Sequence, residues 1–350
     1  MKKYILLPFL LTFVLSLAQT ENTPNIIFMI GDGMGLTQIS TGMYANGNST
    51  QLENFEFIGL SKTHAHKNLV TDSAASGTAM ACGEKTYNGV VGINVRNQKL
   101  TSILNHCSGL GYKTALLATS SIVHATPASF YANVDSRAKY QQIAAQLINS
   151  NVDFFIGGGK KYFTKRYDKK NLLESPNNPF EIVTNLDNFR ASTSDRVGYL
   201  TYLDEPPQKS EGRKPALPDM LEATLGKLDQ SENPFFLMVE GSQIDWGGHA
   251  NDVPFVVSEF LEFNKTIAIA LQYAKRNGNT LVVVTADHET GGLALTKGNV
   301  GKAQVAGRFN TRGHSATMVP VFSYGPKAES FGGIYENTAI FTKMKTAVSQ

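Results

Sequence analysis

A chain of 350 residues, 42% of them hydrophobic, is long enough for one large α/β domain or two modest ones with ample apolar cores. Its formal net charge is only +3, and it has no basic run interleaved with aromatic residues, which excludes a nucleic-acid-binding module that works by charge. Its cysteines, Cys82 and Cys107, are too few for a disulfide framework and lie in no zinc-finger spacing. A buried thiol is the favoured interpretation of Cys82, and whether the two cysteines pair stays open.

Residues 1–18 have the pattern of a signal peptide. Two lysines precede an apolar run over 4–17, and the small residues Ser16 and Ala18 suit cleavage after Ala18. No cysteine follows this run, so a lipoprotein anchor is not expected, and no later stretch is long and apolar enough to cross a membrane. We predict a periplasmic or secreted protein without a membrane anchor, formed by a single domain over residues 19–350.

Short apolar runs of the length expected for buried parallel strands recur along the chain. They lie at 25–30, 114–118, 153–156, 235–239, 281–285 and 319–324, and helical patterns lie between several of them, at 100–107, 139–148, 220–228, 257–274 and 337–348. This alternation predicts an α/β fold, a three-layer α/β/α sandwich with a largely parallel central sheet. The polar, less periodic region 167–218 is interpreted as loops and small surface elements.

Residues 70–81 predict a helix that begins at a serine. Thr71 and Asp72 are helix-opening residues, and an alanine-rich run follows them. Ser73 is therefore expected in the first turn, where free backbone N–H groups and the helix dipole favour an anion. Taken alone, Ser73 is either an ordinary helix-terminal serine or a nucleophile toward a phosphate.

Polar residues follow the predicted strands, at the edge where ligands bind in such sheets. Asp32 lies in a glycine-rich turn after the first strand, but the third glycine of a dinucleotide-binding turn is missing, since Leu36 stands there. Asp32 is therefore either a metal ligand or part of a plain Asx-turn. Thr126 and Arg137 follow the strand at 114–118 and offer a hydroxyl ligand and a guanidinium fork for phosphate oxygens.

Acids and histidines follow the later strands. Glu240 ends the strand at 235–239, and Asp245 and His249 are four residues apart, on one side of a helical turn. Asp287 and His288 follow the strand at 281–285, and His314 precedes the strand at 319–324. Metal binding explains this set better than a solvated surface does. The other histidines, His64, His66 and His106, do not lie beside the end of a predicted strand and are interpreted as surface or packing residues.

The collected groups suit more than one metal. Mixed imidazole and carboxylate ligation suits zinc, while carboxylate with hydroxyl and water suits magnesium. The eight candidate ligands are Asp32, Thr126, Glu240, Asp245, His249, Asp287, His288 and His314. They can serve two zinc sites and a magnesium site with one aspartate bridging, and a zinc pair about 4 Å apart can clamp both oxygens of an in-line phosphoryl transfer.

Ordered motifs across nearly the whole of residues 19–350 resemble those of alkaline phosphatases, most closely the compact cold-adapted bacterial members. The motifs are Asp32 in its glycine turn, Thr71-Asp-Ser-Ala-Ala-Ser-Gly-Thr-Ala, Lys85-Thr-Tyr-Asn88, His124-Ala-Thr126-Pro, Glu240 with Asp245 and His249, Asp287-His288 and Gly313-His314. The resemblance implies a phosphate monoester hydrolase that works by double displacement through a phosphoserine at Ser73. Phosphate monoesters would be its substrates and inorganic phosphate its product.

The resemblance also implies a role for each candidate residue. Asp245, His249 and His314 would hold one zinc, Asp32, Asp287 and His288 a second zinc that lowers the pKa of Ser73, and Asp32, Thr126 and Glu240 a magnesium. Arg137 would clamp two phosphate oxygens. His124 and Trp246 depart from the best-studied bacterial pattern and are expected near the substrate, with His124 acting on the third metal through water. Family members are commonly homodimers, so a homodimer is expected.

Other functions share parts of this frame. A sulfatase needs a modifiable Cys or Ser in a Cys/Ser-x-Pro-x-Arg setting, which Ser73 lacks, and a mutase needs an insertion for which the chain has little room. A lipase-type elbow, Gly-x-Ser-x-Gly, is missing as well. A phosphodiesterase and a non-catalytic binder of metal or phosphate remain as alternatives, although Arg137 beside Ser73 favours a dianionic monoester.

Overall fold

A computed structural model describes residues 23–349, so the predicted signal peptide at 1–18 lies outside the described residues. The strands are β1 (Asn25–Gly31), β2 (Phe57–Lys62), β3 (Lys113–Ser121), β4 (Phe154–Gly158), β5 (Glu181–Val183), β6 (Val197–Leu200), β7 (Phe235–Gly241), β8 (Thr280–Thr285), β9 (Glu289–Thr290), β10 (Ala294–Asn299), β11 (Gln304–Arg308), β12 (His314–Ser315), β13 (Val319–Tyr324) and β14 (Gly333–Glu336). The helices are α1 (Leu36–Ala45), α2 (Ser73–Cys82), α3 (Ile103–Gly109), α4 (Ala125–Ala128), α5 (Tyr140–Ile148), α6 (Lys161–Thr164), α7 (Leu186–Ala191), α8 (Leu217–Leu228), α9 (Gln243–Ala250), α10 (Val253–Asn277) and α11 (Thr338–Val348). Short 3₁₀ turns cover Gln51–Asn54, Lys209–Glu211, Val300–Lys302 and Ala328–Phe331.

A ten-stranded sheet runs through the centre in the order β14-β2-β13-β8-β1-β7-β3-β4-β6-β5. Its neighbours pair in parallel except at β13, which is antiparallel to both β8 and β2. Strands buried on both faces are typical of a sheet covered by helices on either side. The predicted α/β class and the largely parallel sheet are confirmed.

Alternating side chains of the central strands enter two separate cores. In β1, Phe28 and Ile30 pack into the core shared with α2, α3, α5 and α11, while Ile27 and Met29 pack into the core shared with α8 and α10. This is the two-residue period of a strand that is buried on both faces. The result is three layers, as the sequence predicts.

The long helix α10 shows how local signals set a boundary. The Asp252 side chain accepts a hydrogen bond from the Phe255 N–H at 3.0 Å, a proline stands in the first turn, and Gly278 ends the helix with a φ of 74°. No helix within residues 23–349 is both long and apolar enough to cross a membrane.

The structure extends the predicted elements at both ends of the sheet. The sequence pattern of region 167–218 predicts loops and small surface elements, but Glu181–Val183 and Val197–Leu200 are strands that form one edge of the main sheet. The opposite edge, β2 and β14, was not predicted either. Cys82 and Cys107 are both buried and both free, which answers the question of their pairing in favour of separate thiols.

Candidate active site

The carboxyl ends of the central strands lie level with one another. Ile30 of β1 is in register with Glu240 of β7 and with Thr285 of β8. Asp32 and Asp287, which follow β1 and β8, therefore leave the sheet at the same edge as Glu240. Because β13 runs in the opposite direction, it begins at this edge, and the strand before it, β12, brings His314 to the same place.

Ser73 is the first residue of α2, as its sequence predicts. The Asp72 carboxylate caps the helix by accepting a hydrogen bond from the Ala75 N–H at 2.9 Å. Oγ of Ser73 lies 3.4 Å from Nε2 of His288, and only 3% of the residue is exposed. The helix N-terminus and the strand ends therefore meet at the serine hydroxyl.

One group of candidate metal ligands, the His249 group, consists of Asp245, His249 and His314, whose possible ligand atoms all lie within 4.8 Å of one another. Asp245 and His249 project from one side of α9. Nδ1 of His249 lies 2.5 Å from the carbonyl oxygen of Arg312, and Nδ1 of His314 lies 2.8 Å from that of Thr71. Each carbonyl accepts the Nδ1 proton of its histidine, so each Nε2 presents a lone pair to the space in front of Asp245.

A second group, the His288 group, consists of Asp32, Asp287 and His288 and is completely buried. Nε2 of His288 lies 3.0 Å from Asp287 and 3.5 Å from Asp32. Oδ1 of Asp287 also accepts the Gly33 N–H at 3.1 Å. The glycine turn after β1 thus orients the ligand that follows β8.

Thr290 connects these two groups, although its sequence gives no hint of it. Its Oγ1 donates a hydrogen bond to Oδ1 of Asp245 and lies 3.2 Å from Nδ1 of His288. Because the Thr290 hydroxyl directs its own hydrogen toward Asp245, its oxygen accepts a hydrogen bond from the Nδ1–H of His288. This contact leaves Nε2 of His288 free to bind a metal.

The third group, the His124 group, consists of Asp32, His124 and Glu240. Thr126, in the short helix α4, is buried beside it. Among the described residues, both carboxylate oxygens of Asp32 and of Glu240 and the Thr126 hydroxyl are buried without a hydrogen-bond partner. Buried acceptors without donors are costly, so these atoms fit one or more cations.

The pKa values of the acids reflect the same crowding. Burial raises the pKa of Asp32 well above its ordinary value, and the neighbouring Asp287, Asp245 and Glu240 add to this. Burial likewise raises the pKa of Glu240 to about 8. Burial would also raise the pKa of Asp287, but the charge and hydrogen bond of His288, the Gly33 N–H and the charge of His314 together outweigh it and lower that pKa. In the absence of metal, Asp32 and Glu240 therefore keep their protons to a higher pH than ordinary carboxyl groups do.

Arg137 lies in the turn before α5 and is fixed from two sides. One of its nitrogens donates to Oδ2 of Asp72 at 3.0 Å, and another lies 3.3 Å from Nε2 of His124. Burial and the Arg137 charge together lower the pKa of His124 to about 3, so this histidine is neutral. The ring of Trp246 meets that of His124 edge-on, with centroids 6.4 Å apart.

All the candidate residues named from the sequence therefore lie along one edge of the sheet: Asp32, Ser73, His124, Thr126, Arg137, Glu240, Asp245, Trp246, His249, Asp287, His288 and His314. Sequence reasoning missed Thr290 and the carboxylate of Asp72 as the partner of Arg137. Asp72 carried a usable signal, since an acid beside the serine faces the same anion-binding space as the arginine.

A serine at a helix N-terminus, three groups of residues that could hold metal ions and an arginine fork form a site of the kind suited to metal-dependent phosphoryl transfer. A sequence profile of alkaline phosphatases matches residues 23–307. The chain belongs to the alkaline phosphatase family, whose members are phosphomonoester hydrolases.

Individual relatives agree with this assignment. Alkaline phosphatase 4 of Bacillus subtilis (strain 168) is 31% identical over 415 aligned positions, which cover 92% of this chain and 89% of the relative. The structure of alkaline phosphatase from the Antarctic bacterium TAB5 is 41% identical, with a TM-score of 0.88 over 94% of this chain and 99% of that one. The cold-active enzyme of a psychrophilic Shewanella is 28% identical, with a TM-score of 0.84 over 93% and 100%. The predicted resemblance to cold-adapted bacterial members is confirmed.

A variant of the TAB5 enzyme adds one detail. In it a histidine is replaced by glutamate and magnesium is bound in a site called M3; it is 41% identical to this chain, with a TM-score of 0.87 over 94% of this chain and 99% of that one.

Proposed function

We propose that this enzyme hydrolyses phosphate monoesters through a covalent phosphoserine at Ser73, with two zinc ions and one magnesium ion. The observation that carries the proposal is the position of Ser73 Oγ, 3.4 Å from Nε2 of His288 and at the N-terminus of α2. Family membership supports the reaction class. The phosphoserine and the number of metal ions are inferred from the arrangement of the ligands.

The donor sets fit different metals. The His249 and His288 groups combine imidazole with carboxylate, as zinc prefers, while Asp32 and Glu240 with the Thr126 hydroxyl offer the oxygen donors that magnesium prefers. Bound zinc would supply Lewis acidity that lowers the pKa of Ser73 and of a water molecule and stabilises the leaving oxygen.

The protein's own residues position the phosphate and perform the substitution. The Arg137 fork and the free N–H groups of α2 hold nonbridging oxygens of the dianion, and Asp72 holds Arg137 in place. Ser73 Oγ attacks phosphorus in line, so an O–P bond forms while the bond to the leaving alcohol breaks, and the serine proton passes through solvent to the departing oxygen. Water then attacks phosphorus, the Oγ–P bond breaks, and one proton of that water passes to Ser73 as inorganic phosphate departs.

We propose that His124 acts on the third metal through a water molecule. Its Nε2 faces a guanidinium N–H of Arg137 at 3.3 Å and accepts from it, so the neutral ring carries its proton on Nδ1. A protonated Nδ1 is a donor and no metal ligand. Nδ1 is buried without a partner, which suits donation to a metal-bound water. The magnesium in the M3 site of the TAB5 variant supports a third metal here.

A metal-loaded crystal structure tests the role of His124. The expected result is a water molecule between the His124 ring and the ion, and direct coordination by a ring nitrogen would refute the proposal.

Trp246 is proposed to border the phosphate beside His124, on the evidence of their edge-on contact.

Metal analysis combined with kinetics tests the proposed function. The purified protein is expected to hold about two zinc and one magnesium, to hydrolyse p-nitrophenyl phosphate at alkaline pH, and to lose this activity to a chelator. Ser73→Ala is expected to retain the metals and lose kcat by about 10³-fold or more. Unchanged turnover by Ser73→Ala would overturn the nucleophile. A fully loaded protein that releases no phosphate would instead support a non-catalytic binder.

The diesterase alternative is tested with the same preparation. The planar guanidinium of Arg137 can bind two oxygens at once, which suits a dianionic monoester better than a monoanionic diester. The expected result is a kcat/KM for p-nitrophenyl phosphate well above that for bis-p-nitrophenyl phosphate. The reverse order would favour a diesterase.

We propose a homodimer that associates through the β2–β14 edge of the sheet. Ile58 is 58% exposed and Ile334 is 63% exposed, and both lie on the face of Leu60, with which Ile334 is paired. An exposed apolar edge strand is a typical site of association. Sedimentation equilibrium is expected to give a dimer that Ile334→Lys dissociates, while Leu110→Lys, at a different exposed apolar residue, leaves it intact. A monomeric wild type would refute this interface.

We also propose that the protein is exported after cleavage following Ala18 and that residues 19–350 form a single domain. Cleavage after Ala18 is tested by N-terminal sequencing of the mature protein from the periplasm or medium. A single domain over residues 19–350 is supported by the one sheet that joins strands from both ends of the described chain. One cooperative unfolding transition of the metal-loaded protein is the expected result.

A further inference from the structure

Glu289 is a buried carboxylate that the proposed reaction does not use. It follows His288 directly, and only 4% of the residue is exposed. Its Oε1 accepts from Nε2 of Gln38 at 2.7 Å and from the Leu293 N–H at 3.2 Å. Its Oε2 accepts from the Gly292 N–H at 3.2 Å and from the Ser315 hydroxyl. One carboxylate thus joins three separate segments of the chain.

Each of these segments lies next to a candidate metal ligand. Gln38 belongs to α1, which follows the Asp32 turn, and its Nε2 also donates to the carbonyl oxygen of Thr290 at 2.7 Å. Ser315 is the neighbour of His314 and is paired with Glu289 in the small β9–β12 sheet. Gly35 leaves room for this arrangement, since a Cβ there would lie 2.5 Å from Cγ of Glu289.

The turn that Glu289 fixes also carries the segment that orients both histidines of the His249 group. Beside Gly292, the Gly291 N–H donates to the carbonyl oxygen of Gly313 at 2.9 Å. The carbonyl oxygen of Gly291 accepts from the backbone of 310–311, at 2.9 and 3.1 Å. Segment 310–315 contains His314 itself and the Arg312 carbonyl that orients His249. Both imidazoles therefore depend on this segment.

We propose that Glu289 is a positioning residue for the metal bound by the His249 group. It holds segment 310–315 against the strand ends without touching the ion or the substrate. This inference rests on the proposed function only in taking that group as a metal site. Residues that orient metal ligands typically contribute 10- to 100-fold, roughly, to metal affinity.

Glu289→Gln is the sharpest variant because it keeps the shape of the side chain. A carboxamide has one acceptor oxygen and an NH₂ group, so it leaves the Gly292 N–H or the Leu293 N–H facing another donor. We expect zinc affinity at the His249 group to fall about 10- to 100-fold. Affinity is measured at buffered free zinc concentrations, with bound metal counted by mass spectrometry.

The control variant is Glu259→Gln. Glu259 is equally buried, at 3%, but pairs with Arg213 away from the metal groups. It is expected to lower the melting temperature of the metal-free protein while leaving zinc affinity unchanged. For Glu289→Gln, the loss of zinc affinity is expected to be larger than the fall in the melting temperature of the metal-free protein explains. Raising the free zinc concentration is expected to restore kcat.

Two milder variants keep the proposal testable if Glu289→Gln does not fold. Ser315→Ala removes one donor to Glu289 and is expected to weaken zinc binding about 2- to 10-fold, the usual range for one hydrogen bond. Gln38→Leu removes the bond to Glu289 and the bond to the Thr290 carbonyl oxygen, and is expected to weaken zinc binding at least as much. Zinc binding equal to that of the wild type in all three variants would overturn the role of Glu289. A wild type that binds zinc but hydrolyses no phosphate ester would overturn the proposed function alone.

Discussion

Nε2 of His249 lies 3.1 Å from Nε2 of His314, and the other ring nitrogen of each histidine donates to a backbone carbonyl. Two lone pairs that face each other at this distance repel unless a cation or a proton lies between them. The carboxylate of Asp245 lies 3.3 Å from His249 and 3.5 Å from His314, and its negative charge stabilises either a cation or a proton between the two rings. The chain is therefore built to hold positive charge at this point, and protons compete with metal for it.

The stability of the metal-free protein is expected to fall as pH rises from about 6.5 to about 9. The hydrogen bond that the His249 ring donates to the Asp245 carboxylate raises the pKa of His249 to about 9, and burial raises that of Glu240 to about 8. Each group binds its proton more tightly in the folded state than in the unfolded chain, so its contribution is present at low pH and is lost as pH rises through these values. The pKa of His124 is lowered to about 3, so this histidine changes the pH dependence of stability only below pH 6.5, its ordinary pKa.

Thermal unfolding with and without a chelator measures this effect. The melting temperature of the metal-free protein should decrease across the window, while that of the metal-loaded protein should change little, because the ions replace the protons. A metal-free melting temperature that rises with pH would contradict the assignment.

Gly33→Ala is expected to disrupt the ligand groups. Gly33 has a φ of 71°, and a Cβ there would lie 2.7 Å from Cα of Asp245 and 2.7 Å from Oγ1 of Thr290. Gly47→Ala is the matched control, because Gly47 has a φ of 69° with no atom within 4 Å of its Cβ position. Both variants carry backbone strain of about 1–3 kcal/mol, but only Gly33→Ala should also lose bound metal. Denaturant unfolding and metal counts make the comparison, and equal losses would exclude crowding as the cause.

Arg137→Lys is expected to impair phosphate binding although the charge is kept. An ammonium group cannot bridge two oxygens as the planar fork does. Loss of one charge-assisted hydrogen bond, about 1.5–3 kcal/mol, corresponds to a fall in kcat/KM of about tenfold or more. Inhibition by inorganic phosphate should weaken in parallel. An unchanged inhibition constant for phosphate would show that Arg137 does not contact it.

Asp72 is expected to have two separable roles. Asp72→Asn keeps an oxygen that can accept from the Ala75 N–H, but it removes the charge that fixes Arg137. Asp72→Ala removes both and should cost about 1 kcal/mol more in the free energy of unfolding through loss of the helix cap. Both variants should lower kcat/KM to a similar extent. Equal stability of the two variants would contradict the capping role.

Much of the site could be predicted because it follows from regular geometry. Parallel strands align their carboxyl ends, which is why Asp32, Glu240 and Asp287 could be placed together from the sequence. Residues four apart on a helix share a side, which placed Asp245 with His249. The Ser73 position followed from helix-capping preferences. The position of His314 depends on the reversed direction of β13, which the sequence pattern does not indicate.

The rest depends on contacts between distant parts of the chain. Thr290 follows Glu289 in a short two-residue strand, and its contact with Asp245 spans 45 residues. Helix α1 is not indicated by the sequence because it contains Thr37, Ser40, Thr41 and Gly42, which are weak helix formers. Strands β2 and β14 were missed because they lie at the sheet edge, where partial exposure removes the continuous apolar pattern of the central strands.

The stereochemical course at phosphorus tests the covalent serine most directly. Phosphoryl transfer from a monoester made chiral with oxygen isotopes to an acceptor alcohol reports how many in-line steps occur. Each in-line displacement inverts the configuration, so transfer through Ser73 predicts net retention, and net inversion would contradict it.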